Sequence, residues 1–137
     1  MTQGNGSSAF FDKTYDEALA LIEQAHAYLS DIHHNNVRAD TPVDDLRLRC
    51  EAFRLSTRLM QVMAWLLNQR AIHAGELSAA EVLESPEYRL GSAKVCRDDS
   101  QHDHPAIPAG LSEMLDRSLN LYIRTERLDE MMHRSIH

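Results

Sequence analysis

Three kinds of side chain in this sequence could do chemistry: imidazoles, thiols, and arginines gathered around a tryptophan. His102-Asp103-His104 sets two imidazoles and a carboxylate side by side, ligand types that suit zinc and other divalent ions. They lie in the irregular stretch "GSAKVCRDDSQHDHPAIP", where adjacent ligands fix no geometry and no second ligand pair stands at helical spacing. No metal and no cofactor are therefore expected. Cys50 and Cys96 are the 2 cysteines, with no CxxC between them. Cys50 falls on the border of an apolar helical arc and reads as a small packed residue. His33-His34, and Arg70 with His73, fit the preference of helix C-termini for cations. No nucleophile elbow, P-loop, dinucleotide fingerprint, HExxH or ExxH pair occurs, so no catalytic residue is assigned and an enzyme is not expected.

The remaining candidate is the arginine group. Arg54, Arg58 and Gln61, with Trp65 and Ile72, fall on the polar side of one predicted helix. An aromatic flanked by arginines has the composition of a protein-interaction hot spot. The same tryptophan could instead pack beneath the loop after Gly75 or against a neighbouring helix. On the first reading Arg54, Arg58, Gln61, Trp65 and Ile72 form a protein-interaction face.

The elements that position these residues are helices. With 5 Gly and 4 Pro in 137 residues there is little turn material for a many-stranded fold. Residues 1–7, small and polar, are expected to be disordered, with one helical domain over 8–137. Ser8 could cap a first helix over about 8–33. Within it Phe11, Tyr15, Ala18, Ile22, Ala25, Leu29 and Ile32 alternate spacings of four and three, a heptad stripe. "HHNNVRAD" breaks the pattern and reads as a loop. Thr41-Pro42-Val43-Asp44 has the form of a capping box, and Gly75 suits the residue past a helix end, which sets the middle helix at about 42–74. Ser78 caps a short helix over about 79–84 that Pro86 stops. A flexible loop over about 91–107 leads to a last helix over about 108–134. There Leu111, Leu115, Ser118 and Tyr122 form one stripe, and Met114, Leu121, Leu128 and Met132 another. The fold class is all-α: a three-helix bundle of long antiparallel helices plus one short helix.

Placed at 100° per residue, the middle helix carries apolar residues over an arc of about 200°, from Val62, Leu55 and Leu48 round to Phe53, Leu46 and Ala64. An edge helix needs about half of that. The excess predicts partners on two sides, and a homodimer is expected. With a formal charge of -7 the chain would be repelled by duplex nucleic acid and by anionic membrane surfaces. The longest apolar run, Val62 to Leu67, is far short of a membrane span. Two cysteines without a disulfide pattern or signal peptide place the protein in a reducing, cytoplasmic setting.

The stretches "FFDKTYDEALALIEQAHAYL" and "LRLRCEAFRLSTRLMQVMAWLLNQRAIHAGELS", continuing in "YRLG" at Tyr88 to Gly91, carry a further signal. They resemble the alphaproteobacterial RcdA family, regulators of CtrA degradation once catalogued as a domain of unknown function. The resemblance implies a dimeric three-helix bundle without enzymatic activity. It would act as an adaptor in regulated proteolysis by ClpXP, joining the protease primed by the response regulator CpdR. Its cargo would be cell-cycle regulators, including CtrA through the cyclic-di-GMP effector PopA. Two other readings stand beside it. One is a small metal- or thiol-dependent helical enzyme using residues 96–104. The other is a protein-interaction regulator unrelated to proteolysis.

Overall fold

The computed structural model describes residues 3–34 and 39–136. Three long helices, α1 (Gln3–His34), α2 (Pro42–His73) and α5 (Ala109–Ile136), form an all-α bundle around one core. Two short helices, α3 (Ala79–Glu84) and α4 (Ala93–Cys96), and a 3-10 turn over Pro86–Tyr88 lie between α2 and α5.

Helix α1 starts five residues ahead of the expected position, so Ser8 is inside the helix rather than at its cap, and 3–7 are helical rather than disordered. Extending a formed helix costs far less than nucleating one, and nothing between Gln3 and Phe11 is a proline. Residues 1–2, and 35–38 of the expected loop, lie outside the described residues. Phe11, Ala18 and Ala25 of the heptad stripe are buried, and Tyr15, Ile22 and Leu29 pack beside them. Small residues at 18 and 25 let the backbone of α1 approach α2 closely.

The ends of α2 follow local chemistry. Thr41 Oγ1 accepts from the Asp44 amide at 3.1 Å, Pro42 takes the first turn where no donor is required, and Asp44 and Asp45 answer the positive end of the helix dipole. Gly75 adopts φ +78°, the left-handed conformation in which a side chain would be strained. Ser78 Oγ caps α3 through the Glu81 amide at 3.1 Å. Gly110, in the first turn of α5, sits where a Cβ would come within 2.8 Å of the Tyr28 ring. That close approach lets α1 and α5 meet.

The core is built from Leu48, Leu55, Leu59, Val62 and Leu66 of α2 against Leu111, Met114, Leu115, Leu121 and Tyr122 of α5, with α1 closing the third side. Each such side chain stabilises the bundle by roughly 1.5–3 kcal/mol before entropy is subtracted. At the far end of α2, the Arg70 guanidinium lies 4.2 Å over the Tyr15 ring, and His73 meets Phe11. No helix among the described residues is long and apolar enough to cross a membrane.

Candidate functional site

The buried face of α2 contains a run that the apolar pattern alone conceals. Leu48, Glu51, Leu55, Arg58, Val62, Trp65 and Gln69 alternate spacings of three and four, and all seven are buried. Polar residues hold three of these seven heptad positions. Of the five residues expected on an exposed interaction face, Arg58 and Trp65 are therefore buried, and Arg54, Gln61 and Ile72 are partly so. The expectation of a solvated face is corrected: this side of α2 is an interface within the chain.

Arg58 explains why. Its guanidinium donates through Nε to the Cys96 carbonyl at 2.7 Å and through Nη1 to the Leu115 carbonyl at 2.9 Å and Ser118 Oγ at 3.3 Å. Nη2 donates to the Asp98 carbonyl at 2.8 Å and meets His102 Nε2 at 3.1 Å. All five N–H groups of the fork are used. Burial, helped by the neighbouring Arg54 charge, lowers the guanidinium from its ordinary value, yet arginine stays protonated in proteins. Complete donation to fixed acceptors is what makes a charge tolerable at 0% exposure.

Arg54 and Gln61 act on the same segment. Arg54 binds Glu51 through Nε at 3.1 Å, donates to the Val95 carbonyl, and reaches Asp98 Oδ2 at 3.5 Å. Gln61 Oε1 accepts from the Gly91 amide at 2.9 Å and its Nε2 donates to Ser92 Oγ at 3.3 Å. Tyr122 donates to the Gly91 carbonyl at 2.6 Å, and its phenol is pushed well above its ordinary value, chiefly by burial. Residues 91–107 are consequently an anchored strap lying across α2 and α5, with α4 in its first half, and not the flexible loop expected. Trp65 and Ile72 serve the next stretch. Trp65 Nε1 donates to Asp129 Oδ1 at 2.9 Å, and Arg89 Nε holds Asp129 Oδ2 at 2.8 Å. Ile72 lines a small pocket with Gln69, Val82 and Tyr88. Gln69 Oε1 is buried there without a hydrogen-bond partner among the described residues.

The chemistry-bearing side chains of 96–104 are spent on structure. Cys96 is fully buried and burial pushes its thiol up, against thiolate formation. His102 lies between Arg58 and Asp116 Oδ1, 2.9 Å from its Nδ1, and His104 Nδ1 accepts from the Ala106 amide at 3.0 Å. No group of three or more His, Cys, Asp or Glu able to hold a metal occurs among the described residues. Cys50 is exposed rather than packed, because the border of the apolar arc where it stands is left uncovered.

That uncovered border is the surface available for binding. Leu46, Phe53, Met60 and Leu67 recur every seven residues along α2 and are 64%, 68%, 71% and 47% exposed. Beside them a groove of about 680 Å³ runs between α1 and α2, walled by Ile22, Leu29, Leu59, Met63 and Ala64, with His26 and His33 at its edge. No carboxylate, lysine or arginine lines this groove. On a chain of net charge -7, an uncharged apolar stripe about three turns long is the exception.

A family model described as "Protein of unknown function (DUF1465)" matches residues 3–137. The crystal structure of RcdA from Caulobacter crescentus CB15 superposes with a TM-score of 0.65 at 32% sequence identity, over 90% of each chain. The chain belongs to the RcdA family. No curated protein matches it. Within this family fold the sequence segments that carry the likeness, α1 and α2, are also the two walls of the apolar groove.

Proposed function

We propose that this protein is a non-enzymatic, cytoplasmic adaptor in regulated proteolysis by ClpXP, helping to deliver cell-cycle regulators for degradation. The observation that carries this reading is the exposed Leu46–Phe53–Met60–Leu67 stripe beside the α1–α2 groove, in a chain of the RcdA family. An exposed apolar heptad is a surface that wants a helix, and methionines at 60 and 63 can reshape to fit more than one. The partners supported by the family likeness are the CpdR-primed protease, PopA and cargo such as CtrA. A homodimer through the same α2 face fits the repeat of seven, which matches the seam of paired helices. Arg58 and Trp65, once candidates for docking, instead hold the fold, so their substitution tests folding.

The test is a reconstituted degradation assay with ClpXP, CpdR and a cell-cycle cargo. Adding this protein is expected to speed loss of the cargo, and a Phe53→Ser/Met60→Glu variant is expected to lose that effect while keeping its helical signal. Equal degradation with and without the protein, across the cargo set, would overturn the reading.

A further inference from the structure

We propose that the strap over residues 97–107 is fastened by an acid-sensitive latch: protonation of His102 breaks its contact with Arg58 and frees the strap from α2 and α5. The latch is independent of the adaptor reading.

The inference starts from donors and acceptors. A guanidinium has no lone pair to offer, so Arg58 Nη2 can only donate across the 3.1 Å contact. His102 Nε2 must then be the accepting nitrogen, and the single proton of the neutral ring sits on Nδ1, where it donates to Asp116 Oδ1 at 2.9 Å. Geometry thus selects one tautomer and one protonation state. A second proton on the ring would point an N–H at an N–H and set two cations together inside the bundle.

Other charges near the ring decide the sign. From α5 only Asp116 meets the imidazole, and its carboxylate side chain is 60% exposed, where solvent screens its attraction for an imidazolium. From α2 come Arg58, fully buried, and behind it the Glu51–Arg54 pair, which is internally balanced. The strap itself brings Cys96, with its thiol pushed up by burial, and Asp98. Ser100 holds the Asp98 carboxyl below its ordinary value through hydroxyl and amide hydrogen bonds. That carboxylate keeps its charge until the pH falls below the usual aspartate range, so it does not respond where an imidazole does. The buried repulsion outweighs the exposed attraction, and added protons favour release.

Release has a defined extent. His102 is buried at the centre of the strap, and Ser112 Oγ donates to its carbonyl at 2.8 Å. The turns that follow are closed by amides of the strap itself: His102 to the Asp99 carbonyl, His104 to Gln101 and Ile107 to His104. Losing the His102 contact removes one of the three strap acceptors of Arg58 and loosens the other two, the Cys96 and Asp98 carbonyls.

Hydrogen exchange on the full-length protein tests this. Between pH 7.5 and 5.5, after correction for intrinsic rates, protection of the His102, His104 and Ile107 amides is expected to fall by up to about tenfold per pH unit, the limit for one linked proton. Core amides of α2 should not follow. His102→Gln supplies an acceptor and a donor at similar separation and cannot titrate, so its strap should show no acid response. Asp116→Asn keeps the acceptor but removes the charge that favours the imidazolium, and should move the opening to lower pH. Unchanged protection in the wild-type protein would overturn the latch. So would the same acid response in His102→Gln, which would assign it to His104. A 15N imidazole spectrum at pH 7.5 showing protonated Nε2 on His102 would overturn it as well.

Discussion

On the flank of α2 that faces α5 and the strap, Glu51, Arg58 and Gln69 lie buried; on the flank beside the α1 groove, Leu46, Phe53, Met60 and Leu67 lie exposed. The polarity of the two flanks is the reverse of what side-chain type alone predicts. Two different conditions account for it. A polar group can be buried when its hydrogen bonds are complete, as those of Arg58 are, and burying it then costs little net free energy. An apolar group remains exposed when the chain has nothing left to lay over it, and its burial waits for another molecule. The first flank is a problem solved inside the chain, and the second is left for a partner.

Substitutions along the two flanks should separate these conditions. Arg58→Met leaves five acceptors without a donor, and should cost about 3–5 kcal/mol in urea unfolding, since unmet buried acceptors cost about 1–3 kcal/mol each and some regain water. A loss below about 1 kcal/mol would mean that the strap is not held as described. Trp65→Phe keeps the ring contact with Phe11 and removes only the bond to Asp129, so about 1–3 kcal/mol is expected from the same measurement. Gln69→Met removes a buried oxygen without a partner at nearly constant volume, and a gain of about 1 kcal/mol is expected. Destabilisation there would reveal a water bound to that oxygen. On the exposed flank Met60→Glu should leave stability within about 0.5 kcal/mol. Light scattering should nevertheless show it converting the dimer to monomer, and a wild-type protein that is already monomeric at micromolar concentration would remove the dimer from this face.

The two thiols offer the mildest test of the contrast. Cys50, exposed beside the stripe, should react with a thiol reagent at once. Cys96, buried and pushed up, should react only as the strap opens. Equal rates would mean that the strap gives no cover.

What was legible in the sequence follows the range of the forces involved. The caps at Thr41 and Ser78 and the left-handed turn at Gly75 are decided by residues within four positions of each other, and they stand where the sequence places them. The stripes of α1 and α5 need only their own periodicity. The buried run of α2 was missed because it counts Glu51, Arg58 and Gln69 as core positions, and each earns that place through a partner elsewhere. Arg58 reaches residues 38, 40 and 44 positions ahead, and Trp65 finds Asp129 64 positions on. No local pattern announces such a pairing. One clue was available: the alternation of three and four from Leu48 to Gln69 is unbroken if polar residues are admitted. The exposed flank was half legible. The wide arc signalled an excess of apolar surface, but not that α1 covers one border and leaves the repeat of seven bare.

Arg58 grips the strap and α5 largely through carbonyl oxygens, at Cys96, Asp98 and Leu115, and a carbonyl is the same whatever residue carries it. A fastening of this kind is indifferent to most of the lettering above it. Lys94, Arg97, Asp99, Ser100 and Asp103, all exposed, can be exchanged without touching what keeps the segment in place. The fold therefore offers a stretch of outward-facing residues whose identity can drift toward new contacts while the backbone beneath stays in one shape.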